Sequence, residues 1–549
     1  MNYFEKIQSS FFTFLEQQLS IPHHVIARCS FELNCDEDKQ QFGDINSNIA
    51  MVAAKELKTN PRQLAQTIID QFQHDAIATI EIAGPGFLNF TLHNQWYVSL
   101  AQELDRKKDS FFSEGYTKSD NINIEFISAN PTGPLHIGHG RNGILGDVLA
   151  TLYQFLHQKV SKEFYINDAG VQITKLGQSF KIRCLQELGQ TISLPEDAYH
   201  GEYLTELAKT CIEKFGDNIE KKPDLFFETY AKEHMLAMQQ ETLERYGIIF
   251  QTWFSEKTLH DHNKVEQALQ KLIDRGYTYT QENALWFKST EFGDDKDRVL
   301  KKSNGDLTYV AADVAYLIDK FERGYTQLFM ILGHDHHSYK TRLHAIMQAL
   351  GYNPQQLTII LYQLVHLIKD GKPARMSKRT GNMFTLSDII DEVGKNVSRF
   401  FFLNRKADAE LEFDIDLALS QSNENPIFYI QYAYVRTHSI YNKAQELNLQ
   451  PADQPKFEQS LTDSEKLILK KICSLKTLLH NIADNHQIHL IAYYAYELAS
   501  LFQKYYNTHR VIEPDNMQIS QQRLNFILLV QQTLQTCFYL MGITPLKKM

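Results

Sequence analysis

Cysteine is scarce and unpaired. The chain of 549 residues has six, at positions 29, 35, 184, 211, 473 and 537, and no two form a Cys-x-x-Cys pair. That excludes the ligand spacing of a zinc ribbon and offers no disulfide framework, so no structural metal is expected. There is no run of about eighteen apolar residues, so no membrane span is expected. The opening Met1-Asn2-Tyr3-Phe4-Glu5-Lys6 lacks a basic stretch followed by an apolar one and does not read as a secretory signal. A reducing cytoplasm is the expected compartment. An excess of positive charge is missing too. Lys plus Arg total 56 against 66 for Asp plus Glu, a formal net charge of −10. A diffuse coating of nucleic acid is thereby disfavoured, whereas a confined basic face is not. No internal repeat or low-complexity tract breaks the chain.

What is present suits a soluble globular protein with several cores: 43% hydrophobic and 22% charged residues. The pattern predicts a multidomain α/β protein. An α+β N-terminal domain is expected over 1–110, a Rossmann-like parallel-sheet catalytic domain over 111–410, and an all-α C-terminal domain over 411–549. Phe4, Ile7, Phe11 and Phe14 or Leu15 mark a first amphipathic helix. A second helix covers Asn48 to Leu57, and a third starts at Pro61 with Asn60 as N-cap. Ala78 to Ile82 and Phe87 to Leu92 read as strands around the turn Gly84-Pro85-Gly86. Asn121 to Ile127 reads as a buried strand, followed by a Pro/Gly loop and a helix near Gly138. This is the opening of a nucleotide-binding βα unit. Further strands are expected at Lys162 to Ile166, Leu328 to Leu332 and Leu357 to Leu361, with helical insertion sequence over much of 175–285. The charged segment 405–424 is the best inter-domain connection. From about Asn425 the pattern is helical, with Tyr494, Leu498, Leu501 and Tyr505 on one apolar face.

Two short segments carry chemistry. The first is Ser128-Ala129-Asn130-Pro131-Thr132-Gly133-Pro134-Leu135-His136-Ile137-Gly138-His139. Gly138 permits close backbone approach, and a helix N-terminus favours phosphate. His136 and His139, three apart, share a face and can donate to phosphate oxygens. The plainer reading is that both merely cap a helix. The second segment holds Lys369, Lys372, Arg375, Lys378 and Arg379 between Gly371 and Gly381. A basic glycine-flanked loop suits a leaving polyphosphate, with Lys378 as its point charge. The plainer reading is a solvated basic loop.

Together and in this order, His136-Ile137-Gly138-His139 and Arg375-Met376-Ser377-Lys378-Arg379 resemble the two ATP-binding motifs of class I aminoacyl-tRNA synthetases. The stretch before His136 closely resembles arginyl-tRNA synthetases, as does Met376-Ser377-Lys378-Arg379-Thr380-Gly381-Asn382. Arg375 stands where the usual pattern has lysine. The resemblance implies ATP, with Mg²⁺ on its phosphates, L-arginine and tRNA(Arg) as substrates. His136, His139 and Lys378 would be catalytic, and Gly138, Arg375, Met376 and Ser377 would complete the ATP site.

It also implies an arginine pocket. Tyr309 and Asp313, four apart, would face the guanidinium, with Glu256 as its second carboxylate. Asn130 would hold the substrate amino group, supported by Glu125. Asp335 and His336, in Gly333-His334-Asp335-His336-His337, would line the pocket rather than ligate a metal on a shared strand face. Tyr165-Ile166-Asn167-Asp168-Ala169-Gly170-Val171-Gln172 resembles a family motif beside the active site. Without the resemblance, Tyr309 and Asp313 read as an ordinary helix face. Phe87 and Asn89 would read the tRNA elbow. Tyr429, Gln431, Tyr432 and Arg436 would meet unpaired bases. A monomer is the family expectation. The competing readings are another class I synthetase or nucleotidyltransferase, and a non-catalytic tRNA-binding paralogue.

Overall fold

The computed structural model describes residues 2–118, 120–373, 384–451 and 460–549, without the side chains of Asp217, His336 and His337. The first helix, Tyr3–Gln17, starts with a capping box between Asn2 and Glu5 and buries Phe4, Ile7, Phe11 and Leu15. Phe14 is half-buried, its ring 5.2 Å from that of Phe72. The helix Ile49–Leu57 follows Asn48. Asn60 caps the helix Pro61–Gln71, accepting from the amides of Arg62 and Gln63. The N-terminal sheet has four antiparallel strands in the order β1-β2-β4-β3: β1 (Phe31–Leu33), β2 (Ile45–Ser47), β3 (Ile77–Ala83) and β4 (Phe87–Leu92). β1 and β2 escape the sequence reading because three residues cannot show a period of two.

The central sheet contains β5 (Asn121–Glu125), β6 (Lys159–Ile166) and β7 (Thr252–Ser255). An antiparallel ribbon follows, made of β8 (Thr278–Gln281), β9 (Ala284–Phe287) and β10 (Arg298–Lys301). The chain then returns to the central sheet as β11 (Gln327–Gly333) and β12 (Leu357–Tyr362). The order is β12-β11-β5-β6-β7, all parallel. The chain leaves β5 in one direction and re-enters beside it at β11. That reversal opens a crevice at the carboxyl ends of β5 and β11, where ligands bind in sheets of this kind.

β5 ends two residues earlier than its apolar run suggests. Ile127 and Ser128 take φ values of 66° and 44°, a region costly for a β-branched residue. The Ile127 amide donates to Asn142 Oδ1 at 2.7 Å, and Asn142 Nδ2 donates to Ile331 O at 2.9 Å. A side-chain amide thus takes over where ladder pairing between β5 and β11 stops.

The helix Ile137–Phe155 follows the β5 loop and lies directly on the sheet. A Cβ at Gly146 would sit 2.2 Å from the Phe126 ring. Further along this helix, buried Asp147 binds Lys162 Nζ and Arg399, both at 2.5 Å. These two cations outweigh burial and hold the Asp147 carboxyl below its usual range. Arg399 also donates through Nε to Met541 O at 2.9 Å. Asp147→Ala would strand two buried cations and is expected to cost about 3–5 kcal/mol. Urea unfolding measures this, and a loss below about 1 kcal/mol would contradict the account.

A small sheet of order β14-β13-β15 joins β13 (Val365–Lys369), β14 (Lys372–Pro373) and β15 (Leu411–Asp414). Buried Arg141 ties the Ile137–Phe155 helix to its base. It donates to the carbonyls of Gln363, Leu364, Lys406 and Ala409 at 2.7–3.4 Å. The C-terminal region packs the helices Pro426–Glu446, Asp463–Asn485, Leu490–Thr508 and Met517–Met541. Asp463–Asn485 touches both other regions. Lys470 Nζ bonds Gln40 and Asp44 at 2.6 and 2.9 Å, and Ala483 O accepts from Tyr153 OH at 2.7 Å.

Candidate active site

His136 is not in the first helical turn but precedes it, as the N-cap of Ile137–Phe155 with an extended backbone. Its Nδ1 accepts from the Gly138 amide at 3.1 Å, and His139 Nδ1 accepts from the His136 amide at 3.1 Å. The two rings stack with centroids 3.6 Å apart. Gly138 is demanded first by this stack, since a Cβ there would lie 2.9 Å from His136 Cε1. Capping and catalysis are therefore not rival readings. A ring whose Nδ1 accepts from backbone is neutral and carries its proton on Nε2. A proton on Nε2 gives each ring the kind of donor an oxyanion needs. Burial, with the neighbouring His136, pushes His139 down to about 3. His139 should stay neutral between about pH 5 and pH 9, without the usual mid-range titration of histidine. An NMR titration of the ring would show no midpoint there; one near about 6.5 would contradict this assignment.

Arg375, Met376, Ser377 and Lys378 lie outside the described residues. Their flanks are described. Thr385 forms an antiparallel bridge with His136, and the Leu386 amide donates to Leu135 O at 2.8 Å. The chain emerging from the second motif thus lies against the first. On the other side, Lys369 pairs with Glu392 at 2.5 Å.

On the far side of the crevice, carboxylates from distant segments converge. Asp313, on the helix Tyr309–Glu322, accepts from Tyr339 OH. Its Oδ2 is buried and has no partner among the described residues. Burial pushes Asp313 up to about 7; the Tyr339 hydroxyl and Arg342 pull it down, and the charges of Glu256 and Glu125 push it up. Glu256 is buried at the end of β7, and its pKa too is raised, by burial first, against the Tyr165 hydroxyl and His260. Glu125 bonds Lys320 Nζ at 2.7 Å and meets Ser128 Oγ at 3.4 Å. Lys320 is fully buried and also reaches Asn123 Oδ1 at 2.7 Å and Glu163 at 3.5 Å. Glu125 therefore already has a buried counterion, whereas for Asp313 and Glu256 the nearby Arg342 and His260 do not offset burial. Such a pocket favours a cation with several donors.

The other expected residues are placed less uniformly. Tyr309 opens the Asp313 helix and is 66% exposed. Asn130 is exposed, its backbone carbonyl held by Gln239 Nε2 at 3.0 Å. Asp335 is exposed, and its charge adds to burial in raising the pKa of Tyr362. His334–His336 is a 3-10 turn after β11 ends at Gly333, so no strand face pairs His334 with His336.

Three family models match the chain: "Arginyl tRNA synthetase N terminal domain" over 20–92, "tRNA synthetases class I (R), catalytic domain" over 102–408 and "DALR anticodon binding domain" over 430–549. An arginine–tRNA ligase of Geobacter sp. (strain M21) is 40% identical over 516 residues, 93% of each chain. One of Desulforamulus reducens is 41% identical over 517 residues, 92% of each. The chain belongs to the arginyl-tRNA synthetase family. The Thermus thermophilus arginyl-tRNA synthetase superposes with a TM-score of 0.77 at 19% identity, covering 99% of this chain and 100% of that one. At that identity the likeness speaks for the fold. Membership of this family makes the chain an ATP-using class I ligase and favours the catalytic reading over the non-catalytic alternative.

The residues expected to meet tRNA lie on two surfaces. Along β4, Leu88 and Phe90 are buried while Phe87 is exposed and Asn89 half-buried. In the C-terminal helices the Arg436 guanidinium lies 4.6 Å over the Tyr432 ring and 4.2 Å over that of Tyr506. Tyr429 packs 5.3 Å from Tyr496. Gln431 is turned inward. It is buried, donates to Thr544 O at 3.2 Å and accepts from the Leu546 amide at 2.8 Å. It clamps the C-terminal tail. Tyr506 and Tyr496 sit on a helix far along the sequence, with no local motif to flag them. Tyr339 and Lys320 were missed for the same reason, whereas Tyr165 was flagged by its motif.

Proposed function

We propose that this arginyl-tRNA synthetase binds the guanidinium of L-arginine between Asp313 and Glu256, with Tyr309 at the mouth and Asn130 and Glu125 toward the substrate amino group. The observation that carries this reading is the buried Oδ2 of Asp313, without a partner among the described residues, in a place where burial, and then the charges of Glu256 and Glu125, raise the Asp313 pKa. ATP enters as its Mg²⁺ complex, a substrate. The arginine carboxylate attacks the α-phosphorus in line, the bond to the bridging oxygen breaks and pyrophosphate leaves. His136 and His139 donate Nε2–H to the phosphate as charge builds, and Lys378 takes the leaving group with Arg375, Met376 and Ser377 around it. The 2′-OH of the terminal adenosine of tRNA(Arg) then attacks the arginyl carbonyl, and AMP leaves. Catalysis rests on positioning and electrostatics.

Phe87 and Asn89 stand ready to stack on and bond the tRNA elbow. Tyr429, Tyr432 and Arg436 offer a stacking surface to unpaired bases. Domain boundaries at 110 and 410, a monomer and a cytoplasmic site complete the reading. Arginine activation is expected to require tRNA. Arginine-dependent ATP–pyrophosphate exchange should rise at least roughly tenfold when tRNA(Arg) is added. Equal exchange without tRNA would contradict that step.

A further inference from the structure

Asp168 lies in the loop after β6, and its side chain is only 5% exposed. Its carboxylate accepts from Ser255 Oγ at 2.8 and 2.9 Å and from the Lys257 amide at 3.1 Å. Those are the two residues that flank Glu256. The Glu256 amide in turn donates to Ile166 O at 3.0 Å, two residues before Asp168. The corner between β7 and the short helix Lys257–Asp261 is therefore stapled on both sides of Glu256. The third donor to the carboxylate is Lys232 Nζ at 3.2 Å, on the helix Asp224–Tyr246 of the inserted segment. A staple of this kind fixes where a buried carboxylate points, and a displacement of about 1 Å at such a site can cost about 100-fold in rate.

We propose that Asp168 is a positioning residue for Glu256: it sets the direction of that carboxylate, and so the preference for a cationic planar side chain, and Lys232 links the setting to the inserted helices. The proposal rests on the assignment of Glu256 to the guanidinium. Asp168 itself touches no substrate in it. Removing the staple lets the 255–257 corner relax, and Glu256 loses its aim while Asp313 keeps its own.

The test is aminoacylation of tRNA(Arg) by the full chain, with KM for arginine, KM for ATP, kcat and the arginine-over-citrulline preference as readouts. Asp168→Ala should raise KM for arginine roughly 10- to 100-fold and lower the preference to match, with KM for ATP within about threefold. Asp168→Asn keeps an acceptor for Lys257 and Ser255 and should recover most of the loss. In a Glu256→Gln background, Asp168→Ala should add less than about threefold, because both act through one carboxylate. Full multiplication of the two effects would overturn the proposal while leaving Glu256 in the pocket. No effect of Glu256→Gln alone would overturn the pocket assignment and this proposal with it. Should Asp168→Ala fail to fold, Lys232→Met replaces it. A smaller rise in KM for arginine, absent in the Glu256→Gln background, supports the proposal, and equal losses for arginine and ATP overturn it.

Discussion

Asp313→Ala is expected to raise KM for arginine by roughly 30- to 4000-fold while the enzyme remains folded. Truncating one partner of a buried charge pair costs about 2–5 kcal/mol, at about tenfold per 1.4 kcal/mol. Asp313 meets the conditions for the larger figures: its Oδ2 is buried and has no partner among the described residues. The same geometry sets a pH dependence. Near neutrality the carboxyl, pushed up to about 7 by burial, is partly protonated in the empty pocket. A guanidinium favours the ionised form, so binding lowers that pKa and releases a proton. Affinity then rises with pH, and KM for arginine should fall between about pH 6 and pH 8. Asp313→Asn should flatten the profile as well as raise KM. Steady-state aminoacylation across that range reads both, and a KM that rises with pH would contradict the assignment.

His136→Ala and His139→Ala each lower kcat by roughly 100- to 1000-fold, the cost of removing one donor aimed at a developing oxyanion. KM for arginine should move little, because neither ring is part of the carboxylate pocket. Each variant also loses a cap, Nδ1 of His136 on Gly138 or Nδ1 of His139 on the His136 amide, worth about 1 kcal/mol of stability. Thermal melting separates that loss from the kinetic one. Single-turnover transfer and pyrophosphate exchange then show whether the activation step carries the defect. Unchanged kcat in the His139 variant would remove that residue from the mechanism.

The sequence was most readable where chemistry and spacing coincide. The histidines three apart, the glycine between them and the strand–loop–helix order are local, and the structure places them as one helix entrance. The long strands and helices follow from apolar period, as with Phe4, Ile7 and Phe11 in the first helix and Leu88 and Phe90 in β4. What stayed hidden depends on distance in sequence. Lys320 looks like a surface lysine in a helix, yet is fully buried because Glu125 and Glu163 come from two neighbouring strands to meet it. Tyr339 supplies the hydroxyl on Asp313 from a segment that was read for its histidines. Gln431 looked like a base reader among aromatics. It turned inward because the C-terminal tail folds back on its helix. The early end of β5 was also invisible, since Asn142 takes the Ile127 amide from the following helix.

Aminoacylation of purified tRNA with each amino acid in turn, with and without ATP, tests the central claim most directly. The account predicts charging with arginine alone, only with ATP, at a specificity over neutral isosteres of roughly 10⁴ or more. Charging with any other amino acid at comparable efficiency would contradict it.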